Sequence, residues 1–164
     1  MNAYNLKPGN ARIYFFMLLF LLTASLISLS FLVNIIIHES GHYIVADAFG
    51  LNPTMHFFDP LYGEDGRLSF NLGRLNSEPV AYTQFSQPGS LWESVNITIA
   101  GVMANLLFAM IICFIYTFTM KNAFSEMVFL SVLAPTILSV VINLNIFSHI
   151  SDGAVLFRLI LGGA

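Results

Sequence analysis

The chain has 164 residues, of which 57% are hydrophobic and only 9% are charged. About a quarter of the residues in a soluble domain are charged, so this composition excludes an ordinary soluble domain and predicts a protein of the lipid bilayer. The net charge of -3 provides no basic patch, which excludes nucleic acid as a partner. Cys113 is the single cysteine, so no internal disulfide can form.

Three uncharged apolar runs predict three transmembrane helices, because about 20 residues suffice to cross the hydrocarbon core. The first helix should continue past its apolar run to Phe49, with Gly50 as its C-terminal stop. We expect one multi-pass integral membrane domain over the whole chain, with a short tail at 153–164. The predicted spans are residues 13–37, 94–120 and 127–150.

The polar stretch at residues 51–92 lies between the first two predicted helices. Within it, residues 67–72 alternate polar with apolar side chains as a strand does, and Asp65-Gly66 before them is typical of a tight turn. We therefore expect a small β-hairpin here. The predicted fold class is an all-α integral membrane protein, with a three-transmembrane-helix core and a hairpin-containing loop.

The orientation in the membrane does not follow from the lysines and arginines. Three of them fall on each side of the predicted core, so the positive-inside rule does not choose between the two orientations. The two groups are Lys7, Arg12 and Lys121 on one side, and Arg67, Arg74 and Arg158 on the other.

The pentad His38-Glu39-Ser40-Gly41-His42 follows the first apolar run directly. Positions i and i+4 of a helix share a face, so His38 and His42 can ligate one metal ion while Glu39 reaches a water on that ion. Ionisable residues at membrane depth cost on the order of 2.5 to 3.5 kcal/mol each, which favours a functional role. The alternative is a buried polar cluster that steadies helix packing. The spacing is typical of a zinc hydrolase, and we expect one Zn²⁺ per chain.

A catalytic zinc site usually has three protein ligands, so one ligand must come from elsewhere in the chain. Three crossings place the C-terminal ends of the first and third helices on the same side of the membrane, which favours Asp152. Glu64 resembles the downstream glutamate of soluble zincins and stays open as the alternative. The weaker candidates are His56, Asp59, Asp47 and His149.

Further polar residues should lie near this centre. Asn105 on the second helix is as far from its helix end as His38 is from its own, so both should lie at the same depth. Asn34 is one turn from His38 and His149 one turn before Asp152, where each can support a ligand by a hydrogen bond. For Gly101, close helix packing is the alternative to a role in the site.

These motifs together resemble the site-2 protease family of intramembrane zinc metalloproteases. The resemblance covers nearly the whole chain, and its motifs occur in the family's order. It implies peptide-bond hydrolysis inside the membrane, with His38, His42 and Asp152 as zinc ligands and Glu39 as the base, while Asn105 matches a position thought to assist the substrate or the intermediate. The matching segments are the pentad, Ala100-Gly101-Val102-Met103-Ala104-Asn105, Asn143-Leu144-Asn145 and Ser151-Asp152-Gly153.

The main functional hypothesis is a zinc endopeptidase that cuts transmembrane or membrane-proximal peptides, so its partners are a membrane protein or peptide substrate and the bilayer. A second hypothesis is a catalytically inactive relative that binds membrane proteins. This alternative arises because Val102 stands where the family usually has proline, and the third motif also lacks its proline. A third is a membrane zincin that uses Glu64 as third ligand and acts on surface peptides. The sequence indicates no oligomeric state.

Overall fold

The computed structural model of the chain describes residues 8–57, 81–119, 121–147 and 151–162. The protein is mostly helical, and three of its helices are long and apolar enough to cross a membrane. A small antiparallel sheet lies between the first two helices, so the predicted fold class is confirmed. The elements are α1 (Pro8–Ala48), β1 (Thr54–Phe57), β2 (Ala81–Gln84), α2 (Leu91–Thr117), α3 (Ala123–Asn143) and α4 (Asp152–Leu161).

The three long helices pack against one another with polar residues inside and apolar residues outside. Exposed apolar side chains such as Phe20 on α1 and Phe114 on α2 suit contact with lipid. Lipid tails are as apolar as leucine, so helix association in a membrane depends on close packing and on buried polar contacts. The buried polar side chains of these helices are Ser30, Asn34, His38, Glu39, His42, Thr98, Asn105, Ser131 and Thr136.

The helix ends carry their own sequence signals. Helix α1 is followed by Gly50, whose φ of 72° is the left-handed conformation that glycine adopts readily at a helix C-terminus. The Ser90 side chain accepts a hydrogen bond from the Glu93 amide at the start of α2. Asn122 and Ser125 form a capping box that begins α3 only a few residues after α2 ends. The short connection makes α2 and α3 antiparallel neighbours.

Gly41 marks the close approach of α1 to α2. A Cβ atom added at Gly41 would lie 2.5 Å from the Ala100 carbonyl oxygen and 2.9 Å from the Ala104 Cβ. Both distances are far inside van der Waals contact, so only glycine allows the two backbones to approach this closely. The close approach occurs between the two histidines of the pentad.

The chain after α3 differs from the sequence prediction. The sequence predicts a helix to about residue 150 and a short tail at 153–164, but α3 ends at Asn143 and a separate helix begins at Asp152. Asn145 provides the physical reason, because its side-chain oxygen accepts from the Phe147 amide at 3.0 Å and its carbonyl accepts from the Ser151 hydroxyl. Asparagine and serine side chains compete in this way with helical hydrogen bonds.

Helix α4 is fixed at its first residues. The Ser151 side chain accepts from the Ala154 amide at 3.3 Å and so caps the helix. The backbone of Gly153 packs against the Leu144 carbonyl so closely that no Cβ fits. The turn after α3 therefore directs the start of α4 back toward α1.

The sheet pairs β1 with β2 in the register Thr54↔Gln84 to Phe57↔Ala81. The rings of His56 and Tyr82, which are direct cross-strand partners, stack with their centroids 4.7 Å apart. The strand predicted at 67–72 and the turn before it lie outside the described residues.

Candidate metal centre

Two side chains of α1 and one side chain at the start of α4 converge on one point. The Nε2 atoms of His38 and His42 lie 3.2 Å apart. Oδ2 of Asp152 lies 3.0 Å from Nε2 of His38 and 3.4 Å from Nε2 of His42. Both histidines are buried and Asp152 is half-buried, so the cluster lies within the bundle rather than on its surface.

These distances suit a single metal ion. Zinc bound tetrahedrally at its usual bond lengths separates neighbouring ligand atoms by about 3.3 Å. Oδ2 of Asp152 is buried and has no hydrogen-bond partner among the described residues, although both imidazoles lie against it. A buried carboxylate oxygen without a donor is costly, and coordination to a cation removes that cost. The three residues could therefore hold one Zn²⁺.

The carboxyl group of Asp152 is acidic in this position. Burial raises its pKa, but the imidazoles of His38 and His42 lower it by more, so the net pKa lies below the usual range for aspartate. The group is therefore ionised at neutral pH, as a metal ligand must be.

Hydrogen bonds at Nδ1 orient the two imidazoles. Nδ1 of His42 lies 2.6 Å from the Ile97 carbonyl oxygen, which can only accept, so Nδ1 carries the proton and Nε2 keeps its lone pair for a metal. Nδ1 of His38 lies 3.5 Å from the amide of Asn105, which also donates to Ser139 Oγ at 3.0 Å. The side-chain oxygen of Asn105 has no partner within the described chain. A 180° flip of the Asn105 side-chain amide would bring that oxygen next to Nδ1 of His38.

Gly101 lies directly behind the ligand atoms. A Cβ atom at this position would lie 2.5 Å from Nε2 of His42 and 2.8 Å from Nε2 of His38. The glycine therefore leaves the space that the imidazoles occupy. Close helix packing, the alternative to a site role for Gly101, is seen on the same two helices at Gly41, which lies against Ala100 and Ala104.

Glu39 and the two histidines line one cavity of about 440 Å³. Glu39 itself is buried, and Thr83 of β2 donates to its Oε2 at 2.8 Å. Thr83 is not among the residues predicted from the sequence. A single threonine in a four-residue strand does not indicate a functional role by itself, because its hydrogen-bond partner Glu39 lies 44 residues away in the sequence.

The other predicted site residues have different surroundings. The Asn34 amide donates to the Ser30 carbonyl at 2.7 Å and to Thr136 Oγ1 at 3.0 Å, and the amide near His38 is that of Asn105. Asn143 lines the cavity, whereas Asn145 is exposed in the turn after α3. The remaining predictions, on His149 and Glu64, fall outside the described residues.

Fold and site together define a multi-pass membrane protein whose crossing helices enclose a candidate metal centre. Residues 26–161 match the sequence profile of Peptidase family M50, and the chain belongs to this family, the site-2 proteases. The predicted family and the membrane location are thereby confirmed. Comparisons with curated proteins and with solved structures gave no match.

Proposed function

We propose that the chain is a zinc endopeptidase that hydrolyses peptide bonds of transmembrane or membrane-proximal substrates. The observation that carries the proposal is the spacing of three ligand atoms, 3.0 to 3.4 Å apart, two of which belong to histidines that line the same cavity as Glu39. Family membership supports the broader statement that the protein is a metallopeptidase. The roles of the individual residues are our assignment.

His38, His42 and Asp152 are assigned as the zinc ligands. Bound zinc supplies an acidified water and a Lewis acid for the scissile carbonyl. Glu39 accepts a proton from the water as the water oxygen bonds to the carbonyl carbon. The same carboxyl then returns the proton to the leaving nitrogen as the carbon–nitrogen bond breaks, so protons and electrons balance over the cycle.

The substrate must reach the site in an extended form, because a helix engages its carbonyls in i to i+4 hydrogen bonds. The cavity offers apolar walls at Ile35 and Ile142 and polar groups at Thr98 and Asn143. This lining suits a peptide that presents apolar side chains and free backbone amides. Strand β2 borders the cavity, and a strand can bind an extended peptide at its edge by strand addition.

The test uses the purified protein in zinc-supplemented proteoliposomes. The probe is a Leu-Ala model transmembrane peptide that carries a dye, a quencher and a Gly-Gly pair near one end. Glu39→Gln should retain about one zinc per chain and lose cleavage by roughly 10²- to 10⁴-fold, the usual contribution of a general base. His38→Ala should lose both zinc and cleavage.

Glu126→Gln is the matched control, because this glutamate is exposed at the start of α3. It should cleave at the wild-type rate. Full activity in Glu39→Gln would contradict the proposed mechanism. A wild-type protein that binds stoichiometric zinc but cleaves no peptide would instead favour the inactive, membrane-protein-binding relative.

A further inference from the structure

Strand β2 brings one hydroxyl group to the proposed base. Thr83 Oγ1 lies 2.8 Å from Oε2 of Glu39 and 3.1 Å from the Glu39 carbonyl oxygen. Both oxygens are acceptors, so the single hydroxyl proton lies between the carboxylate and the backbone of the same residue. Of the side chains that the structure describes, Thr83 is the one that donates to this carboxylate.

This contact matters because a glutamate side chain has several rotatable bonds. Ordering such a side chain costs rotamer entropy, and a hydrogen bond to its charged group offsets that cost. Charge-assisted hydrogen bonds are also the shorter and stronger class, in keeping with the 2.8 Å distance. Thr83 therefore selects one arrangement of the Glu39 carboxylate within the cavity.

The strand that carries Thr83 is itself held in place. Thr83 pairs with Met55 of β1, and its neighbour Tyr82 stacks on His56. Beyond the strand, the Ser86 amide donates to the Leu51 carbonyl at 2.9 Å, which ties this segment to the end of α1. The sheet thus provides a fixed support for the hydroxyl.

We propose that Thr83 is a positioning residue for Glu39, so that the small sheet, as well as α1, sets the geometry of the general base. This inference rests on the proposed function, since Glu39 must act as a base for its position to affect the rate. Thr83 touches Glu39 and need not touch the substrate. Its loss should therefore reduce kcat more than it raises KM.

The experiment compares Thr83→Val with Thr83→Ser in the zinc-loaded full chain, using the same dye- and quencher-labelled peptide. Valine keeps nearly the shape of threonine but has no hydroxyl, whereas serine keeps the hydroxyl. Thr83→Val should retain wild-type zinc content and lose about tenfold to a hundredfold in kcat, a part of what a general base contributes, with KM changed by less than about twofold. Thr83→Ser should recover most of the rate.

Thr54→Val is the matched control, because Thr54 lies on the paired strand and is exposed away from the cavity. It should leave zinc content and kcat unchanged. Wild-type kcat in Thr83→Val, failure of serine to recover the rate, or loss of zinc from Thr83→Val would overturn the positioning role while cleavage by the wild type stands. A zinc-loaded wild type without cleavage would overturn the proposed function and this role together.

Discussion

Nε2 of His38 and Oδ2 of Asp152 lie 3.0 Å apart, although His38 belongs to the first helix of the described chain and Asp152 to the last. Such proximity puts an ionised carboxylate against an imidazole inside a bundle with an apolar outer surface. A shared cation would account for the arrangement, with both groups in their metal-binding forms.

Asp152→Ala should release the metal. It removes one of three proposed ligands, and the affinity for zinc should fall by more than about a hundredfold, since loss of a residue that merely supports a ligand already costs about 10- to 100-fold. Metal analysis of the purified protein after dialysis against a weak chelator measures the effect.

Two further variants make the comparison specific. Asp47→Ala, at an exposed aspartate near the end of α1, should retain zinc. Glu64→Ala should also retain it. Zinc loss from Glu64→Ala, with retention in Asp152→Ala, would assign the third ligand to Glu64 and refute the proposed set.

Gly101→Ala should damage the site without removing any ligand. Its new methyl group would lie 2.5 Å from Nε2 of His42, so the imidazoles or α2 must move. Overpacking of this kind costs about 1–3 kcal/mol, and we expect weaker zinc binding together with a lower thermal midpoint. Gly89→Ala is the control, because the nearest atom to its added methyl would be a Glu93 carboxylate oxygen at 3.6 Å. Wild-type zinc affinity in Gly101→Ala would show that the imidazoles do not occupy this space when metal is bound.

Asn105→Ala should weaken zinc binding by about 10- to 100-fold, the usual effect of losing a group that orients a ligating histidine. Asn105 is fully buried beside Nδ1 of His38. Competition with a fluorescent zinc chelator gives the affinity directly. Asn96→Ala, on a more exposed turn of the same helix, should match the wild type. Equal affinities for all three proteins would mean that the Asn105 amide has no part in orienting His38.

Metal removal should lower the stability of the wild type. Zinc that binds only the native state at a free concentration of about 100 times its Kd stabilises the protein by about 2.7 kcal/mol. Adding a strong chelator should therefore lower the thermal midpoint of the wild type in detergent, and excess zinc should restore it. His38→Ala should show the same midpoint with and without chelator. An unchanged wild-type midpoint would indicate that no metal stabilises the fold.

The parts of this protein that sequence predicts best are those with a local or a topological signature. His38 and His42 share a helix face because of their spacing alone. Three crossings bring the ends of the first and third helices to the same side, which favours Asp152, and Asp152 lies 3.0 and 3.4 Å from the two histidines. The long apolar runs likewise correspond to α1, α2 and α3.

The parts that sequence did not predict depend on contacts between distant residues. The end of α3 at Asn143 follows from hydrogen bonds that Asn145 and Ser151 make in the folded turn. The pattern of apolar residues in the sequence does not indicate these hydrogen bonds. Thr83 is comparable, because its position over Glu39 depends on the pairing of β2 with β1. Asn34 is a turn from His38 along α1, but the position of α3 directs its amide toward Thr136.

The break between α3 and α4 places the third proposed ligand on a helix separate from the three long ones, whereas the first two ligands share one long helix. Asp152 stands at the beginning of its own short helix, whereas the two histidines belong to the longest one. A bound cation would cross-link the amino-terminal and carboxy-terminal parts of the chain and close one very large loop, which restricts the unfolded ensemble. Removal of that cation would cut the link between α4 and α1, while the Ser151 cap and the packing of Gly153 against Leu144 would still hold the start of α4.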